Sequence, residues 1–289
     1  MIGVLLVTAA IFVLGGALIL SATLLPVSRA IARELWPFYR SEFLIVGAIL
    51  LPSAADGWFF LTVLVAAALR GQWELFTLFR QSPKALTSVV AMMAGAGLVG
   101  TGMFAPDRLP VAALAGVILL LVLGQLKSSR TGLAIASLVF PSLAVALVGV
   151  LRNSPQGFLW LLLVQVTVET NDSFALLVGK LIGGTRVFPR LSPGKTLAGL
   201  VGGLAAGLLA GLVVSRLLLE LSFYAAFAST IVALAAGLAG DLLLSALKRQ
   251  RDVKDFPPVA LLHGGLLDIY DSLLFAVPAL LLLRSGLRL

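Results

Sequence analysis

Apolar runs of roughly twenty residues follow one another along this chain with only short polar turns between them, which is the length a helix needs to cross a bilayer. Lipid offers no hydrogen-bond partners, so a chain threading it must satisfy its own backbone, and helices do that within one segment. With 60% hydrophobic and 12% charged residues in 289, there is more apolar surface than a soluble domain of this length could hide. The fold class is therefore an all-α integral membrane protein, a polytopic helical bundle of about nine or ten transmembrane helices.

The first span is expected over 2–25, whose flanks and length suit a transmembrane helix rather than a cleaved leader. Segment 26–42 carries Arg29, Arg33 and Arg40 with Trp36 and Tyr39 and reads as interfacial. Residues 43–68 are apolar but broken by Pro52, Asp56 and Gly57, which suggests a hairpin of two short spans, with a single tilted span as the alternative. Further spans are expected near 86–105, 109–126, 132–150, 158–178, 197–219, 223–246 and 265–283. Counting the hairpin as two places the basic segments 26–42, 70–84, 127–131, 180–195 and 248–263 on one side, with both termini on the other. By the positive-inside rule that side is cytoplasmic, and the bilayer is expected to be the cell's inner membrane. The net charge of +8 sits in these turns, a placement that suits anionic headgroups and phosphates rather than nucleic acid. Residues 1–157 read as scaffold and 158–289 as the catalytic region of one continuous membrane domain.

Charged groups are costly in a membrane, so their positions there are functional candidates. Gly199, Gly203, Gly207 and Gly211 recur every fourth residue and form a groove for close helix approach, either to a helix of the same chain or to a second copy in a homodimer. Ala233, Gly237, Asp241 and Ser245 share one helical face, and so do Gly264, Asp268, Ser272 and Ala276. Asp241 and Asp268 are thus expected to face a packed interior, with Asp271 beside Asp268, and Glu169 and Asp172 similarly spaced on an earlier helix. Carboxylates gathered at one membrane face need a cation. Oxygen donors, with no cysteine and a single histidine in the chain, suit Mg2+ or Mn2+. Alternatively, the acids form internal ion pairs with Lys248, Arg249 or Lys254.

The turn Ser192-Pro193-Gly194-Lys195-Thr196 has the parts of a phosphate site without being a Walker loop. Gly194 permits backbone approach, Lys195 supplies charge, and Thr196 opens a helix whose first amides favour anions. His263, directly before Gly264-Gly265, is a phosphate or metal-shell candidate, or a structural donor.

Taken in order, Asp172-Ser173, Ser192 to Thr196, Gly240-Asp241, Ser245, Lys248-Arg249, Lys254-Asp255, His263-Gly264-Gly265, Asp268 and Asp271-Ser272 resemble the phosphatidate cytidylyltransferases, or CDP-diacylglycerol synthases. The N-terminal half is similar only in being hydrophobic. The resemblance implies a membrane enzyme that condenses CTP with phosphatidic acid, giving CDP-diacylglycerol and pyrophosphate with a divalent metal. Carried over, Asp241 and Asp268 are the principal metal ligands with Asp172 and Asp271 nearby. Lys195, Lys248, Arg249 and Lys254 hold the triphosphate or lipid phosphate.

Three positions depart from the family pattern: Ile269 where an Arg is usual between the last two aspartates, Leu261-Leu262 in place of Pro-Gly, and Pro257-Pro258 where a small residue is usual. The missing Arg favours a second reading, a non-catalytic or altered-substrate relative that binds anionic lipid or nucleotide. A third reading is a cation-coupled transporter using the buried acids.

Overall fold

A computed structural model describes residues 45–55, 57–123, 129–259 and 264–287. The expected span 2–25, the interfacial segment 26–42, Asp56 and His263 lie outside them. Helix α1 (Ile45–Ala54) leads into α2 (Gly57–Leu78), α3 (Leu86–Phe104) and, after a short 3-10 turn, α4 (Leu109–Leu123). A kinked span follows, made of α5 (Ser129–Ser137), an irregular segment at Leu138–Leu143 and α6 (Ala144–Asn153). Then come α7 (Gly157–Ile182), a ribbon of β1 (Arg186–Phe188) and β2 (Ser192–Thr196), α8 (Leu197–Leu217), α9 (Phe223–Arg249), the single turn α10 (Leu266–Ile269) and α11 (Asp271–Leu287). Seven of these segments are long and apolar enough to cross a membrane, and α11 adds a shorter apolar helix of 17 residues. The all-α polytopic class stands.

Two local expectations are corrected. The break expected within 43–68 is present, but the two helices are unequal: α1 has only ten residues, and α2 runs unbroken for 22 residues through Arg70. Arg70 stays helical because Glu74, one turn on, accepts from its Nε at 2.7 Å. The last span is not one helix from residue 265 either. Tyr270 (φ −113°, ψ 16°) separates α10 from α11, so Asp268 and Ser272 belong to different elements rather than to one small-residue face. A third feature, the β1–β2 ribbon, was expected only as a loop. Its strands are antiparallel, with Arg186 opposite Thr196 and Phe188 opposite Ser192.

The glycine row works as expected, and its partner is internal. A Cβ at Gly199 would lie 2.5 Å from the Ala175 carbonyl oxygen, one at Gly203 2.5 Å from that of Asn171, and one at Gly207 2.9 Å from that of Thr167. Each contact steps one turn along α7, so α7 and α8 approach backbone to backbone. The row therefore gives no argument for a homodimer. On α9, a Cβ at Gly240 would lie 2.6 Å from the Asp271 carbonyl oxygen, which brings the start of α11 against Asp241's turn.

The two ends of the bundle differ. At one, Arg152 donates to the Ser53 carbonyl (2.9 Å), and Arg284, buried over the Trp160 ring, donates to Ser154 Oγ (2.6 Å). Arg284 is thus a packing residue, which explains a basic group at the end where few were expected. At the other end, Arg251 lies over the Phe79 ring, and the ribbon turn meets the last residue of α9, Arg249.

Replacing Gly203 by Val should destabilise the protein by about 1–3 kcal/mol, because overpacking this contact forces α7 and α8 apart. Gly97→Ala, where a Cβ meets open space, should be neutral or slightly stabilising. Thermal unfolding in detergent compares the two; equal effects would contradict the α7–α8 contact.

Candidate active site

The basic end of the bundle gathers charged side chains from α2, α7, β2, α9, α10 and α11. Thr196 caps α8, its Oγ1 accepting from Gly199 N at 3.1 Å, as its place before the apolar run predicts. One residue earlier, Lys195 is carried by β2 and pairs with Asp241 Oδ2 on α9; Ser245, one turn on, donates to the other Asp241 oxygen at 3.3 Å. Thus a residue expected to hold phosphate and one expected to hold metal hold each other.

The second pair is more enclosed. Lys248 Nζ lies 2.5 Å from Asp268 Oδ1 and 5.6 Å from the centre of the buried Phe256 ring. The other oxygen, Oδ2, accepts from Phe256 N (2.7 Å) and Gly265 N (2.8 Å). Asp268 therefore ties α9, the loop after it and α10 together. Of the expected ion pairs, Lys248 is realised; the second cation is Lys195 instead of Arg249 or Lys254. Arg249 is engaged with carbonyls, donating to Leu191 O in the ribbon turn (3.2 Å) and Val253 O (3.3 Å). Lys254 is exposed on the loop.

Asp172 and Asp271 meet at Ser272. Its hydroxyl donates to Asp172 Oδ2 (3.2 Å) and its backbone N–H to Asp271 Oδ1 (2.6 Å). Both carboxylates feel the charge of Lys195, and Asp271 also that of Lys248. The four aspartates are thus distributed over two lysine pairs and one carboxylate couple. Among the described residues no three acids or histidines converge as a metal cage. The Asp172–Asp271 couple still fits Mg2+ by its donors, because that ion is commonly held by one or two carboxylates, with water and phosphate oxygens filling the remaining positions.

The remaining candidates divide. Gly194 is exposed, with open space where a Cβ would stand, and Ser192 pairs with Phe188 in the ribbon. Gly264 takes φ +100°, a conformation side chains disfavour. Ile269, where the family resemblance led us to expect Arg, packs against the apolar core.

Glu74 escaped the sequence reading. Fully buried on α2, it accepts from Leu266 N (2.8 Å) and Leu267 N (2.9 Å), while Arg70 Nη2 donates to Pro257 O (2.6 Å). Nothing local marks it, since its partners lie almost two hundred residues away; an acid one turn after an arginine in an apolar run was the only available signal.

A polytopic helical membrane protein with lysine–aspartate pairs at one end is the class defined so far. Comparison with known proteins goes further: the sequence matches the Cytidylyltransferase family over residues 1–285, well beyond the C-terminal motifs, and the chain belongs to that family. It is 40% identical over 126 residues to the uncharacterized protein YnbB of Escherichia coli (strain K12), covering 44% of this chain and 42% of that one. It is 35% identical over 143 residues to the phosphatidate cytidylyltransferase of Aquifex aeolicus (strain VF5), covering 50% and 54%. With the Bacillus subtilis (strain 168) protein of that name it shares 34% over 137 residues, covering 47% and 51%. The matched region thus spans about half the length of these curated relatives.

Asp268→Ala should cost about 3 kcal/mol, since it strands the buried Lys248 and two backbone amides. Asp241→Ala, whose pair is more exposed, should cost markedly less. Unfolding of the two variants ranks them; a larger loss for Asp241→Ala would contradict the assigned contacts.

Proposed function

We propose that this protein transfers the cytidylyl group of CTP to a membrane lipid phosphate, phosphatidic acid above all, giving CDP-diacylglycerol and pyrophosphate. The observation that carries the reading is the pairing of Lys195 with Asp241 and Lys248 with Asp268 at one end of the bundle, in a chain of the Cytidylyltransferase family. The phosphatidate cytidylyltransferase relatives support the choice of acceptor.

In this reaction an oxygen of the lipid phosphate attacks the α-phosphorus of CTP. The new P–O bond forms as the bond to the β-phosphate's bridging oxygen breaks, and pyrophosphate leaves. The attacking oxygen is already ionised at neutral pH, so no strong general base is required. The barrier lies in bringing polyanions together and stabilising charge on the transferring and leaving groups. Lys195 and Lys248 are held at their stations by aspartates before substrate arrives, and phosphate oxygens can then share them. Arg249 holds the ribbon turn through Leu191, keeping Lys195 over Asp241.

Mg2+ would be held by Asp172 and Asp271 and would neutralise phosphate charge. The pairing supports a divalent cation: among the described residues, Lys195 and Lys248 are taken by Asp241 and Asp268, while Asp172 and Asp271 meet through hydrogen bonds at Ser272. Asp241, Asp268 and Asp271 gather around the junction of α9, α10 and α11, which favours phosphate chemistry over a cation relay. We place the site on the cytoplasmic side of the inner membrane, where the basic turns belong and CTP is available.

Purified protein with labelled CTP, Mg2+ and phosphatidic acid in mixed micelles should release pyrophosphate only when both lipid and metal are present. Asp241→Asn and Lys195→Met should each lower turnover about a hundredfold, roughly the loss of one strong electrostatic contact in the transition state. Nucleotide binding without turnover on any lipid phosphate would favour the non-catalytic reading.

A further inference from the structure

Among the described residues, the proposed reaction leaves the buried carboxylate of Glu74 unused. Glu74 has no exposed side-chain surface, and its partners, the amides of Leu266 and Leu267, lie at the start of α10. As a stability device this is a poor choice, because a buried ion pair can often be replaced by apolar residues without loss. As a geometric device it is demanding. Oε1 takes Leu266 N and Arg70 Nε, and Oε2 takes Leu267 N, so both oxygens are fixed in direction. Arg70 extends the hold to the preceding loop through the carbonyls of Pro257 (2.6 Å) and Pro258 (3.1 Å).

We infer that Glu74, steadied by Arg70, is a positioning residue for the Lys248–Asp268 pair, an inference that rests on the transfer reaction proposed above. Glu74 occupies the first amides of the turn, Asp268 Oδ2 occupies those of Gly265 and Phe256, and Oδ1 is thereby left aimed at Lys248. The direction of the lysine's ammonium follows from a residue on a different helix that touches no phosphate itself. The same contact gives Gly265 its role: a Cβ there would lie 2.7 Å from Glu74 Oε2 and 2.5 Å from Phe256 Cβ, displacing the clamp. Gly265 is accordingly assigned to seating Glu74, and Gly264 to the turn before it.

The test uses the full chain in lipid nanodiscs, comparing wild type with Glu74→Gln and the milder Arg70→Lys, which keeps the charge but loses the fork. Amide exchange across 265–269 is followed by mass spectrometry alongside kcat and KM for CTP and phosphatidic acid. For Glu74→Gln the turn should exchange about tenfold faster and kcat fall about tenfold, the loss expected of one charged hydrogen bond. KM for phosphatidic acid and exchange in α8 should stay unchanged, and Arg70→Lys should move both readouts the same way by less. Unchanged exchange with kcat within about twofold of wild type would overturn the inference, as would a uniform rise in exchange across the chain with activity lost only in proportion to folded protein. Wild-type protein that never turns over CTP would overturn the transfer reading, while the exchange comparison would still decide whether Glu74 holds the turn.

Discussion

A carboxylate at the end of a membrane helix must be answered by a cation or by amide protons, and this requirement arranges the basic end of the protein. Asp241 is answered by Lys195, Asp268 by Lys248 and two amides, and Glu74 by Arg70 and two more amides. Asp172 and Asp271 share Ser272. Most of these answers join separate elements, from neighbours such as α9 and α10 to α2 and α10, almost two hundred residues apart. Together they bind α2, the ribbon, α9, α10 and α11 at one end, while close backbone packing along glycines joins α7 to α8 below it. Apolar packing in lipid gives little directional preference, so these polar joints are what fix the site.

The same joints set the chemistry available. A triphosphate and a lipid phosphate repel each other, and a site for both must supply positive charge without scattering it. In the proposed reaction, lysines already fixed by aspartates would meet that need, because they are oriented before substrate binds and little reorganisation would be required. Where the family resemblance would place an arginine between Asp268 and Asp271, the half-buried Ile269 packs against the core, while Arg70 enters from α2 to hold the loop at Pro257 and Pro258. The cation there serves the loop's shape.

How far the sequence could be read follows from how local each signal is. The spans near 86–105 and 197–219 matched α3 and α8 closely, because long apolar runs bounded by turns and a Thr196 cap are local features. The glycine row on α8 was legible for the same reason. Periodicity failed at Tyr270, whose backbone leaves the helical region while its hydroxyl donates to the Ile45 carbonyl, so the four-residue spacing from Gly264 to Ala276 ran across two elements. The ribbon was missed because Pro193 and Gly194 read as a turn, and its pairing involves only a few residues. Glu74 was illegible because its amide partners, at the other end of the sequence, had no pattern linking them to it. Charge spacing identified the aspartates as candidates but could not tell which of them pair with lysines.

The central claim is that Lys195 and Lys248 form a nucleotide phosphate site at the membrane end, and equilibrium binding of CTP with Mg2+ to protein in lipid nanodiscs tests it most directly. The account predicts saturable binding that weakens about a hundredfold in Lys195→Met/Lys248→Met, as expected for losing two charged contacts. A correctly folded double variant that binds CTP as tightly as wild type would contradict it.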